Sequence, residues 1–179
     1  MKAVMLSIRP KWCELIASGR KTVEVRKTRP KIPTPFKCYI YCTKFKYGEI
    51  LCFPQYKTGK VIGEFVCDDI EEYLYDYCTH PEIGMDYDCG DSWWEIDKED
   101  LERACMTYEQ FKEYAMPNTD CMFGWHISDL VIYEKPRELG EFRKPLECHR
   151  GNDRDDCVGC WDCEIKRPPQ SFFYVEEMV

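Results

Sequence analysis

Lys21, Glu24 and Arg26 stand within one short window, Gly19-Arg20-Lys21-Thr22-Val23-Glu24-Val25-Arg26. A carboxylate set between two cations can serve recognition. Arginine offers paired donors to a phosphate or a base edge, and the carboxylate accepts from a base or from the arginine itself. The same trio can serve proton transfer, because a lysine whose pKa is lowered by burial becomes a base, with the carboxylate as its partner. A third outcome is structural: the three charges satisfy one another and fasten neighbouring elements together. A second constellation, Cys148, Cys157, Cys160 and Cys163, reads C-x8-C-x2-C-x2-C. Four soft thiolates suit tetrahedral zinc in a segment with too few aliphatics to build its own core. Free thiols or redox-active pairs are the alternatives for the same spacing.

The elements that must position the first trio are readable from periodicity. Lys2 to Ile8 is a short apolar run expected to form a buried strand. Pro10 suits the first turn of a helix, and Gly19 suits the left-handed residue just beyond its end. Trp12, Leu15 and Ile16 share one face between them. The alternation from Thr22 to Arg26 then predicts a half-buried strand with Val23 and Val25 toward the core and Thr22, Glu24 and Arg26 on the other face. Lys21 has the valine parity, so it joins Glu24 only if the turn after Gly19 redirects it.

Downstream, Cys38 to Thr43, Lys60 to Cys67, Phe123 to Tyr133 and Phe172 to Val175 are expected strands. Gly63 marks a bulge or a close approach of backbone or ligand. Residues 68–120 read as an acidic, partly helical insertion. Asp97 caps one helix, and Thr107 with Gln110 forms a capping box that opens another over Tyr108 to Ala115. Short strands with one early helix and no regular β-α-β alternation predict an α+β fold built on a small mixed β-barrel. The whole of residues 1–179 is expected to form a single domain, with a cysteine-rich elaboration at residues 146–165.

Charge is divided unevenly along the chain. Residues 1–60 carry 14 Lys and Arg against 3 acids, while the remainder carries 11 against 30. A basic end attracts an anion and an acidic remainder discourages indiscriminate polyanion coating, which favours a compact site for a nucleotide, a base or a specific RNA. The acidic surface is itself a candidate contact for a protein partner of unknown kind. Met1 to Pro10 holds no apolar leader run, no stretch approaches the ~18 apolar residues of a membrane span, and the thirteen cysteines are an odd number. These features predict a cytoplasmic protein that does not enter a membrane. Cys13, Cys38, Cys42 and Cys52 have apolar neighbours and are expected as core fillers. His126, between Trp125 and Ile127, is expected to be packed.

The octet fits G-x-K-x-x-E-x-R and follows a strand and a short helix, an arrangement that resembles the ASCH domain, a branch of the PUA-like superfamily of small β-barrels. LSIRPKWCELIASGRKTVEVRK, GKVIGEF, GWHISDLVIYEKPREL and RPPQSFFYVEE are similar, in that order, to barrel segments of bacterial and phage-type members. The resemblance implies a cleft between helix and barrel that receives RNA or a nucleotide-like ligand. Its lining would be Lys21, Glu24, Arg26, Ser7, Arg9, Trp12 and Tyr41, with Trp12, Tyr39, Tyr41 or Trp125 as stacking faces. Some relatives are amidohydrolases acting on acetylated cytidine, and a ribonuclease type is known. The amidohydrolases carry a nucleophilic threonine where Glu24 stands here, and a carboxylate cannot play the hydroxyl's part. The departure moves the reading toward binding. In the hydrolase alternative Lys21 and Glu24 would be the catalytic pair.

Overall fold

Lys2–Ile8 (β1) is buried on both faces along most of its length, which is why its sequence reads as a continuous apolar run rather than an alternation. It lies between a parallel neighbour, Phe36–Cys42 (β3), and an antiparallel one, Phe172–Glu176 (β11). Lys60–Cys67 (β4) pairs with β3, and Ser128–Arg137 (β10) closes the other edge, giving a five-stranded sheet ordered β10-β4-β3-β1-β11. The computed structural model describes residues 1–45, 57–76, 79–80, 85–86, 93–116, 119–145 and 164–178.

A second sheet is ordered Val23–Arg26 (β2), Cys121–His126 (β9), Ile70–Asp76 (β5) and Trp93–Trp94 (β8). Thr79–His80 (β6) and Met85–Asp86 (β7) pair separately. Pro10–Ala17 (α1) follows β1, and Lys98–Arg103 (α2) and Tyr108–Ala115 (α3) follow β8. The fold is therefore the mixed α+β, strand-rich arrangement expected from the sequence. Both predicted caps are present: Asp97 accepts from the Asp100 amide, and Thr107 and Gln110 bond reciprocally.

Two expectations need correction. Phe123 to Tyr133 is not one strand but two. The chain leaves the second sheet at His126 and enters the first at Ser128, with the Ile127 amide donating to Thr22 O between them. The start of the acidic insertion is a strand rather than a loop or helix: β5 pairs with β9 from Ile70 to Leu74, and Tyr73 and Tyr75 are buried with Leu74 exposed between them.

Among the described residues three apolar clusters result. The main core joins Leu6, Ile8, Ile16, Cys38, Ile40 and Trp125 among others. A second core packs Val23, Val25, Tyr73, Trp94, Phe111 and Met122 beneath α2 and α3. A third holds Tyr39, Tyr41, Val61 and Phe142 on the far side of the first sheet. Cys13, Cys38 and Cys42 are fully buried free thiols, whereas Cys52 lies outside the described residues. A Cβ on Gly63 would stand 2.4 Å from the carbonyl oxygen of Val131. The glycine thus permits close approach of β10, whose pairing with β4 shifts register on both sides of this point. Among the described residues no helix is long and apolar enough to cross a membrane.

Candidate functional site

The handover from α1 to β2 builds the site. Gly19 takes φ +72°, and nothing lies within 4 Å of where a Cβ would be, so backbone conformation and not crowding selects glycine. The amides of Arg20 and Lys21 both donate to Leu15 O. This tight exit places the Lys21 side chain beside Glu24 despite its sequence parity.

In β2, Glu24 is paired with Trp125 and Arg26 with Phe123. Residues directly opposite in a ladder share a face, and both aromatics belong to the main core. Glu24 and Arg26 therefore project toward the barrel interior, while Val23 and Val25 pack into the second core under the helices. The expected alternation holds, but the valines face a core assembled by the insertion.

Lys21, Glu24 and Arg26 are only 2%, 6% and 6% exposed. Lys21 Nζ lies 3.4 Å from Glu24 Oε2, and Arg26 Nη2 lies 3.0 Å from Glu24 Oε1. Lys21 Nζ also donates to Ala104 O at 2.7 Å and sits 4.9 Å from the Trp12 ring centroid. Burial lowers the Lys21 pKa, and the Glu24 carboxylate opposes that fall. Arg26 Nη2 donates to Ser7 O at 2.8 Å, tying the second sheet to the first. Arg26 Nε is buried and has no hydrogen-bond partner among the described residues.

These residues line a cleft of about 730 Å³ together with Ser7, Arg9 and Trp12. Ser7 contributes its carbonyl, since its hydroxyl donates to Pro169 O. Arg9, exposed at the N-cap of α1, has no ion pair or side-chain hydrogen bond among the described residues and stands as a cation at the rim. Trp12 carries the ammonium groups of both Lys11 and Lys21, at 4.6 and 4.9 Å from its centroid.

Other expected residues are placed elsewhere. Tyr41 is buried in the third cluster, as is Tyr39, whose hydroxyl accepts from the Met178 amide. Trp125 is fully buried in the main core. None of the three offers a ligand a face, because the alternation of β3 and β9 turns them into packed interiors. His126 is not packed among apolar groups: it is one-third exposed and its Nδ1 lies 2.6 Å from Asp68 Oδ1. Cys148, Cys157, Cys160 and Cys163 lie outside the described residues.

The insertion supplies the wall that sequence reasoning missed. Gln110, Glu113 and Tyr114 of α3 line the cleft, as do Lys27 and Lys44. Lys27 Nζ donates to Ala115 O, at the end of α3. Lysines on either side of β2 thus each hold the C-terminal carbonyl of an insertion helix, where a cation is favoured. The available signal for Tyr114 was helical: it borders the Phe111 and Ala115 stripe that α3 buries.

The ASCH domain family model matches residues 6–139. Among solved structures, a serine-to-alanine variant of an ASCH protein from Zymomonas mobilis matches with a TM-score of 0.57 and 18% identity, over 98% of this chain and 89% of that one. ASCH from the same organism matches at 0.53 and 18%, over 98% and 88%. A tyrosine-to-phenylalanine variant of it matches at 0.53 and 19%, over 99% and 92%. At such identities the likeness is one of fold. No curated protein matches the chain.

Proposed function

The chain belongs to the ASCH domain family, and from that premise we propose that it binds RNA or a nucleotide-like ligand in the cleft lined by Ser7, Arg9, Trp12, Lys21, Glu24 and Arg26. The observation that carries the reading is Arg26, a cleft-lining cation whose buried Nε has no hydrogen-bond partner among the described residues. An unmade hydrogen bond at a buried group is costly, and a ligand oxygen or ring nitrogen would remove that cost. Lys27, Lys44 and Arg9 around the mouth favour a ligand that bears phosphate.

Titration of nucleosides, nucleotides and short single-stranded RNAs tests this. Arg26→Lys preserves a cation for Glu24 but has no Nε. Its affinity is expected to fall by about 10- to 100-fold, the span of a charge-assisted hydrogen bond, with an unchanged far-ultraviolet spectrum. Equal affinity in the variant and the wild type would refute the placement.

The hydrolase reading, with Lys21 as base and Glu24 as its electrostatic partner, draws on the lowered pKa of Lys21. Against it, Lys21 Nζ already faces Ala104 O, Glu24 and the Trp12 ring, so accepting a proton from a substrate would require it to give up one of these contacts. Recognition is the reading we advance. Turnover of a modified nucleoside or RNA that disappears in Lys21→Ala would reverse that order.

We also propose that Cys148, Cys157, Cys160 and Cys163 hold a structural zinc ion, on the spacing of four thiolates in a segment poor in aliphatics. Protein purified without added metal should contain about one zinc per chain by elemental analysis. A ratio near zero sinks the idea.

A further inference from the structure

Trp12 was the natural stacking platform in this cleft, yet its ring already lies against two ammonium groups, one of them the buried Lys21. Among the described residues the other aromatic ring lining the same cleft is Tyr114. It comes from α3, outside the octet and off the barrel. Tyr114 is 41% exposed, large for an aromatic that borders a buried helix face. Its hydroxyl has no hydrogen-bond partner among the described residues. We infer that Tyr114 is the residue on which the ligand's base stacks, so that the insertion, and not α1, supplies the face that reads a nucleobase.

Three observations support the placement. The next residue, Ala115, is fully buried, and its carbonyl accepts from Lys27 Nζ at 3.2 Å. The tyrosine is therefore mounted on a fixed turn and not on a loose end, which lowers the ordering cost of binding. The Lys27 ammonium lies 5.5 Å from the Tyr114 centroid, one cation where the Trp12 ring carries two, and it stands within reach of a phosphate attached to a stacked base. Desolvation raises the pKa of the phenol, and Arg26, Glu24 and Arg9 all act on it. The hydroxyl thus shares the electrostatic environment of the triad and stays protonated at neutral pH.

The inference rests on the nucleotide-binding reading and narrows it to ligands that carry a base. A sugar phosphate offers charge but no aromatic face and should not be held. Stacking on an aromatic side chain is sequence-tolerant, because every base has a π face. Tyr114 would then set affinity for bases in general, leaving discrimination among them to Glu24 and Arg26.

Calorimetric titration with the four nucleoside 5′-monophosphates, a short single-stranded RNA and ribose 5-phosphate provides the test, on wild type, Tyr114→Phe, Tyr114→Ala and Arg26→Lys. The wild type should bind at least one nucleotide or the RNA and leave ribose 5-phosphate unbound. Tyr114→Ala should weaken binding about tenfold or more, and Tyr114→Phe should stay within about fivefold of wild type because the ring is kept. If Tyr114→Ala binds like wild type while Arg26→Lys is impaired, the stacking role is overturned and the cleft reading survives. If ribose 5-phosphate binds as well as the nucleotides, the base is not read and the inference is likewise overturned. If wild type binds none of these probes, both readings fall together.

Discussion

Replacing Glu24 by glutamine is expected to destabilise the protein by about 3–5 kcal/mol, the usual cost of removing one partner from a buried ionic group. Among the described residues the carboxylate is the sole anion between Lys21 and Arg26, at 3.4 and 3.0 Å. Glutamine has nearly the same shape, so the loss is one of charge and not of volume. Arg26 would keep Ser7 O and Lys21 would keep Ala104 O, but two cations would then face each other with little water to screen them. In a chain of this length the deficit corresponds to a melting temperature lower by about 6–20 °C, measurable by calorimetry.

The pH dependence of that deficit identifies its cause. Burial already holds the Lys21 pKa below its ordinary 10.5, and Glu24 is the main influence pulling it back up. A lysine whose folded pKa is depressed leaves the unfolded chain binding more protons between the two values, so stability rises with pH across that window. Without Glu24 the folded pKa drops further and the window opens toward neutrality. The gap between wild type and Glu24→Gln should therefore be widest near neutral pH and shrink as pH approaches 10. A gap that does not change with pH would mean that the cost is lost packing, not unbalanced charge.

What the sequence disclosed about the site follows a physical division. Alternation in β2 is a local property, and it assigned Glu24 and Arg26 to one face correctly. Which core that face looks into depends on residues 70–76, 93–115 and 122, which the topology brings together from far away. The valine face could not be distinguished from the barrel interior by period alone. Lys21 turned on one glycine, and the left-handed residue at Gly19 was both predictable and sufficient to redirect it. Tyr41 and Trp125 were misplaced as stacking faces for the opposite reason: aromatics in strands pack far more often than they line clefts, and no periodicity separates the two. β5 was hidden by its acids, although Tyr73 and Tyr75 kept the two-residue beat. The likeness to a family carried the order of the barrel segments, but α3 entered the site from an insertion that the likeness did not describe.

Trp125→Ala is the second large effect expected, at about 3–5 kcal/mol for a fully buried aromatic. Trp125 sits on β9 in the second sheet, and its ring meets Phe36 of β3 at 5.7 Å and Phe172 of β11 at 5.4 Å, both edge-on and both in the first sheet. It thus joins the Arg26 bond to Ser7 O in locking one sheet to the other, directly beside Glu24, its ladder partner. Truncation to alanine leaves a cavity under the triad that neighbouring strands can fill only in part. Trp125→Phe separates packing from polarity. The indole Nε1 is buried without a partner among the described residues, so phenylalanine removes an unsatisfied donor while keeping most of the ring. Its cost should be less than half that of alanine, since relief of the orphan N–H offsets part of the lost volume. Urea titrations of the two variants check the order, and equal losses would mean that Nε1 has a partner in solution. Because the cavity opens beside Glu24 and Arg26, Trp125→Ala should also weaken ligand binding at a pH and temperature where it remains folded. Trp125→Phe should bind nearly as the wild type does, and that contrast links the inter-sheet packing to the geometry of the cleft.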